Sequence, residues 1–503
     1  MLSSGFAIRG GGRARSVSIH CASLALVLAM GAAAQAQVAP SYAPEERNVE
    51  SRSGYTEQTG SLPDGTEYMI RVPDEWNGTL IRDLDYAQRI SQDERSSRYA
   101  YLLENGYALA GTARHPLRAW QYDPAREIAN LDLVLDRFSE EFGEAERVIQ
   151  FGCSGGGHVS LAVAEDFSER IDGSVVLAAH TPVWLMNNFL DGWFILQTLL
   201  GEYYEEAGHG PASDLQIIDL PNDGSSNPSG HGMEGELPQA WSNAFEAANQ
   251  SPGGRARMAL AFAVAQWPVA MAEGAEQPDY SDLEALQSAI RASLERLSGS
   301  PGGEARILFE NAAQGQQLSW NENVDYAQFF ENANPNLQAA VNELYAQSDL
   351  TLEEDLARVN EANGVRASRH AVKYWSAPGR TAFGDPQIPV FRLHEVGDYQ
   401  IPYSLMLGYE VAVEQNGDPA MLRTALIDSV GHCTEAAIST AESAAAVEVM
   451  MDRLDEGSWP ETDAQALNER ARSLDDSPAR YIEVGDHDIP AFNRLWIPKN
   501  AGQ

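Results

Sequence analysis

The residues Gly152-Cys153-Ser154-Gly155-Gly156 fit the pattern G-x-S-x-G, and their setting gives the pattern meaning. Residues 147–151 (RVIQF) read as a short apolar strand, and the spacing after Gly157 reads as a helix to about 167. A sharp strand-to-helix turn needs small neighbours and lifts the serine Oγ clear of the sheet. It also sets the Gly155 N–H at a helix N-terminus, where it can hydrogen-bond an oxyanion. The chemistry this predicts is nucleophilic acyl transfer through Ser154.

A serine nucleophile needs a base, and the base needs an orienting carboxylate. On this kind of scaffold the acid and then the histidine follow the serine in chain order, each after a strand. The strand 389–396 (PVFRLHEV) runs into Gly397-Asp398, and the strand 422–430 (LRTALIDSV) into Gly431-His432-Cys433. Asp398 is therefore the expected acid and His432 the expected base. His394 and Glu395 fall within their strand rather than after it and are set aside. A second oxyanion donor belongs after the strand 79–84, where the N–H of Asp85 is chosen.

The cysteines bear on the same three residues. Cys153 directly precedes the serine and Cys433 directly follows the histidine. If hydroxyl and imidazole meet, their neighbours come within disulfide range; two separate buried thiols are the alternative. A bridge suits an oxidising compartment, and the N-terminus points to one. Residues 1–36 hold Arg9, Arg13 and Arg15 and no acid, then an apolar run and Ala34-Gln35-Ala36. That is the layout of a secretory signal cleaved after Ala36, with a periplasmic or secreted product. The apolar run is too short to span a bilayer comfortably.

The elements that must position these residues alternate. Strands at 67–72, 79–84, 107–112, 147–151 and 173–179 are interleaved with helical spacing, as at Leu131, Val134, Leu135 and Phe138. Such alternation predicts an α/β fold, a mostly parallel sheet with helices on both faces. Residues 67–72 and 79–84 read as a strand pair across the turn 73–78, and 37–60 read as polar and loose. From about 183 to 384 helical spacing dominates, with six of the ten tryptophans, and this reads as a large helical lid insertion. The organisation expected is a signal at 1–36, a first core part at 37–182, the insertion at 183–384, and a second core part with a C-terminal tail at 385–503.

Composition narrows the partners. The 503 residues carry 34 Lys+Arg against 73 Asp+Glu, a net charge of −39 that loss of the three signal arginines takes to −42. Nucleic acid and anionic membranes are disfavoured, since both need clustered Lys/Arg. Only Lys373 and Lys499 are lysines, so lysine-based chemistry has little to work with. No cofactor or metal is expected, because no H-E-x-x-H or paired-histidine motif occurs. The Asp/Asn-rich stretch 219–227 (DLPNDGSSN) reads as a solvated loop rather than a calcium site. A non-catalytic module on this scaffold is disfavoured, because all three triad positions are filled.

The runs 151–157 (FGCSGGG), 398–402 (DYQIP) and 431–433 (GHC) resemble the tannase and feruloyl-esterase group of α/β-hydrolases. That resemblance implies an α/β-hydrolase fold and a Cys-Ser, Asp, His-Cys triad with the cysteines joined beneath it. The group's further disulfides have no cysteines here to form them. The runs 111–124, 158–184 and 220–238 also resemble bacterial phthalyl amidases. This second resemblance implies hydrolysis of amides or esters of a small aromatic acid that carries a carboxylate. Arg114 and Arg118 would then receive the carboxylate, with His180 and Trp184 beside the acyl group and Trp120 or Trp193 offering further stacking faces. A tannase-like ester hydrolase, a peptidase and a polyester depolymerase stay open as alternatives.

Overall fold

The Val-, Ile- and Leu-rich runs form strands buried on both faces, as strands covered by helices on each side must be. The computed structural model describes residues 47–89, 96–179, 181–220, 236–297, 303–362, 364–483 and 492–494, all within the unit Pro44–Gln503. The expected signal at 1–36, His180 and residues 221–227 lie outside the described residues. Among the described residues no helix is long and apolar enough to cross a membrane.

The strands are β1 (Arg47–Ser51), β2 (Tyr55–Ser61), β3 (Glu67–Pro73), β4 (Thr79–Asp83), β5 (Ala108–Thr112), β6 (Arg147–Cys153), β7 (Gly173–Leu177), β8 (Val390–Gly397), β9 (Leu422–Val430) and β10 (Tyr481–Ile482). They form one sheet in the order β1-β2-β3-β5-β4-β6-β7-β8-β9-β10. The stretch from β5 to β9 is parallel throughout, and antiparallel strands close both edges. This is an α/β-hydrolase sheet, with the helical insertion between β7 and β8.

Two expectations are corrected. Residues 47–61 are not loose: β1 and β2 form an antiparallel hairpin that extends the sheet through β3. Backbone pairing carries it, since β1 is exposed along its whole length. β3 and β4 are not neighbours either. β5 lies between them, antiparallel to β3 and parallel to β4. The intervening helix Ser96–Glu104 supplies the crossover that a parallel β4–β5 pair requires.

Helices seal both faces. The helix Pro124–Phe142 starts at an Asp123 cap with Pro at N1 and buries Ile128, Leu131, Val134, Leu135 and Phe138. These pack with Val159, Ala162 and Val163 of the helix Gly155–Asp166. On the other face lies the helix Thr440–Glu456. Ser439 and Glu442 form a capping box that fixes its first turn. That leaves 433–438 as turn, which matters for the site.

In the insertion, the helix Pro182–Glu206 is apolar almost all round and correspondingly buried. Trp193 packs edge-on to Trp241 at 4.7 Å and meets Trp267 and Phe245 at 6.2 Å. Asp355 takes two bonds from Arg257, at 2.7 and 2.8 Å, and pins the helix Leu352–Ala362 to this core.

Candidate active site

Ser154 sits between β6 and the helix Gly155–Asp166 with φ 60° and ψ −122°, a conformation a non-glycine residue rarely holds. Close approach of the neighbouring backbone makes the turn possible. A Cβ at Gly152 would lie 2.5 Å from the Gly156 carbonyl, and one at Gly157 would lie 2.7 Å from the Leu177 oxygen. The Ser154 N–H donates to Leu177 O at 3.1 Å, anchoring the turn to β7. Gly155 opens the helix, where N–H groups have no intrahelical acceptor.

Asp398 follows β8 and is fully buried. Its Oδ1 accepts the N–H groups of Gln400 at 2.8 Å and Ile401 at 2.9 Å. Its Oδ2 lies 2.7 Å from His432 Nδ1, just after β9. The pairing assigns the Nδ1 proton and leaves Nε2 with its lone pair. That nitrogen lies 3.8 Å from Cys433 Sγ. Cys153 and Cys433 lie at disulfide distance, their Cα atoms 6.1 Å apart. The residue before Ser154 and the residue after His432 therefore touch. Among the described residues Ser154 Oγ makes no hydrogen bond; bonds of this kind often tighten only when substrate is bound.

The insertion reaches both loops. Thr434 hydrogen-bonds Glu273, Gly274 N–H donates to Val430 O at 3.0 Å, and Arg296 lies 4.3 Å over the Tyr399 ring.

On the other side of the serine stand the two arginines. Arg114 grips Asp85 through two bonds, Nη2 to Oδ2 being 2.6 Å. Its guanidinium lies 3.0 Å from where a Gly155 Cβ would be, against the serine turn. Burial works against its charge, but Asp85 outweighs burial and holds Arg114 above its ordinary range. Arg118 differs. It lies 5.0 Å from the Tyr122 ring, its Nε is buried without a hydrogen bond, and it has no carboxylate partner among the described residues. Burial, and then the charge of Arg114, hold its pKa below the ordinary value. A half-buried guanidinium with no carboxylate hydrogen-bonded to it is placed to pair with an anion.

The remaining expected positions are placed as follows. The Asp85 N–H donates to Asp83 Oδ1 at 3.2 Å, within its own turn. Trp184 and Trp193 are each 1% exposed and pack in the core. The Trp120 side chain, like His180, lies outside the described residues.

Three groups beyond the expected site residues adjoin these loops. Tyr99 bonds the Asp83 carboxylate behind the Arg114–Asp85 pair. Arg98 and Glu395 both reach the Cys433 backbone. Glu395 did leave a signal: an acid inside a strand buried at every position. His394, Glu395 and Asp398 offer ligand atoms within 4.8 Å of one another. His394 Nε2 is spent on Ile401 O at 2.8 Å and Asp398 on three donors, so this is a protein hydrogen-bond cluster rather than a cation cage. A cavity of about 680 Å³ lined by Trp267, Tyr280, Leu337 and Tyr403 includes none of Ser154, Asp398 and His432.

No family model matches the chain. It is 58% identical over 453 residues to the o-phthalyl amidase of Xanthobacter agilis, covering 90% of this chain and 99% of that protein. The chain belongs to the o-phthalyl amidase family. As a family member it is an enzyme, a hydrolase acting on amide or ester bonds. Similar solved structures include feruloyl esterase B from Aspergillus oryzae, 14% identical with TM-score 0.40, covering 82% of this chain and 88% of that one. Tannin acyl hydrolase from Aspergillus niger is 15% identical with TM-score 0.36, covering 83% of each chain.

Proposed function

We propose that this family member is an exported serine hydrolase that cleaves the amide or ester bond of a small aromatic acid bearing a second, free carboxylate. The observation that carries the reading is the 2.7 Å His432–Asp398 bond, whose histidine lies next to the residue that touches the neighbour of Ser154. The named activity of the 58% identical relative supports the acyl group.

In this reading His432 Nε2 takes the proton from Ser154 Oγ as the oxygen attacks the carbonyl carbon. The Gly155 N–H holds the tetrahedral oxyanion, and the Asp85 N–H joins it on turning from Asp83. His432 then passes the proton to the leaving amine or alkoxide. Water, activated the same way, frees the acid from Ser154. Arg118 receives the substrate carboxylate, with Arg114 held beside the serine by Asp85.

The test is a screen of purified mature protein on a phthalyl monoamide, an aryl ester and a short peptide. Arg118→Gln adds a sharper readout. It is expected to lower kcat/KM for the phthalyl monoamide about 10–100-fold, the worth of a charge-assisted pair. The benzoyl amide lacking the carboxylate is expected to change by less than about threefold. Equal losses on both substrates would remove the carboxylate assignment.

Export of the chain through residues 1–36 places Cys153 and Cys433 in an oxidising compartment, where they form a disulfide. Non-reducing peptide mapping is expected to yield the Cys153–Cys433 cross-link. With a sequence separation of 280 residues between the two cysteines, Cys433→Ser is expected to lower unfolding stability in denaturant titrations by up to about 5 kcal/mol.

A further inference from the structure

Cys433 holds a left-handed backbone, φ 61°, which side chains rarely adopt unless neighbours impose it. Its peptide groups are gripped from two other elements. The N–H donates to Glu395 Oε1 at 3.0 Å, from β8. The carbonyl accepts from Arg98 Nη2 at 3.4 Å, and the same nitrogen donates to Ile438 O at 2.9 Å. Glu395 and Arg98 are 0% and 1% exposed. The amide that Glu395 holds joins His432 to Cys433, so its grip sets the backbone torsion at His432. Rotation there swings the imidazole relative to Asp398 on one side and the serine turn on the other.

We propose that Glu395 is a positioning residue for His432, acting through the Cys433 peptide as a neutral carboxylic acid. The inference rests on His432 being the general base. Glu395 offers an acceptor oxygen to Cys433, while its second oxygen, Oε2, is buried with no hydrogen bond. A carboxylate there would leave charge on an unsolvated atom. The groups facing it are His394, Asp398 and Tyr399 from its own strand and the turn after it, Arg98 from the helix Ser96–Glu104, and the loop at His432–Cys433. Burial, and then the Asp398 charge, push the Glu395 carboxyl well above its ordinary range, against the smaller pull of the Cys433 N–H and Arg98. A neutral acid can fix the loop without setting a second negative charge beside the histidine. Asp398 then remains the single carboxylate that the imidazolium sees.

Two conservative variants separate positioning from bulk structure. Glu395→Gln keeps the reach and an acceptor oxygen but can never be charged. Glu395→Asp keeps the carboxyl but withdraws it by one methylene from the Cys433 N–H. Glu395→Gln is expected to hold kcat within about threefold and leave the acid limb of the kcat/KM–pH profile in place. Glu395→Asp is expected to lose about 10-fold or more in kcat with KM little changed, the signature of a misplaced catalytic group. Two results overturn the proposal. One is Glu395→Asp with wild-type kcat. The other is an acid limb moved to lower pH by more than about half a unit in Glu395→Gln, which would mean that a charge had been lost. His432→Ala, run alongside, must abolish turnover; retained activity there would remove the base assignment itself, and this inference with it.

Discussion

Ser154→Ala is expected to lower kcat about 10⁶-fold, to the level that binding and the oxyanion donor sustain without a nucleophile. The size follows from how the parts depend on one another. His432 has no proton to take without the Ser154 hydroxyl, so Asp398 has no imidazolium to stabilise, and one deletion costs nearly as much as three. Folding is expected to be untouched. The turn at Ser154 is anchored by its own N–H on Leu177 and by its carbonyl accepting the His158 N–H at 2.8 Å. Alanine retains both backbone bonds, and the Ser154 Oγ makes no hydrogen bond among the described residues. Steady-state turnover beside a thermal melt checks both halves; a melt near wild type with activity within about tenfold would contradict the assignment.

Asp398→Asn is expected to cost about 10⁴-fold in kcat while the fold is retained. The local bonds dictate why. Gln400 and Ile401 both donate N–H groups to Oδ1, so an asparagine must keep its oxygen there. Its NH₂ group is then forced onto His432 Nδ1, where Asp398 Oδ2 now accepts at 2.7 Å. The ring answers by moving its proton to Nε2, and the nitrogen that faces the serine becomes a donor. The base is lost with no change of shape. Activity is expected to stay low across the pH range rather than shift along it, because the fault is a tautomer and not a titration.

Most of this site was legible in the sequence because its residues stand at strand ends, and strand ends are where local pattern is strongest. Ser154, Asp398 and His432 each follow an apolar run with a glycine at its end, and β6, β8 and β9 appear within two residues of where the pattern puts them. The two cysteines drew attention for the same reason: each adjoins one of those positions. What escaped depends on partners far away in the chain. The pairing of β5 between β3 and β4 is decided by a crossover, not by either strand's composition. The β1–β2 hairpin is polar, so it carries no apolar alternation to read. Trp184 and Trp193 belong to a helix apolar nearly all round, and only its packing shows that both rings are enclosed. Glu395 was set aside for lying inside a strand, yet from that strand its carboxyl reaches the Cys433 N–H, a contact between segments 38 residues apart.

The account stands on Ser154 being a nucleophile activated by His432. Incubating the mature protein with a fluorophosphonate probe and mapping the adduct by mass spectrometry tests that most directly. The account predicts one stoichiometric adduct, on the peptide that carries Ser154, absent from Ser154→Ala and slowed strongly in His432→Ala. Active enzyme that takes up no label, or takes it up on another residue, would contradict it.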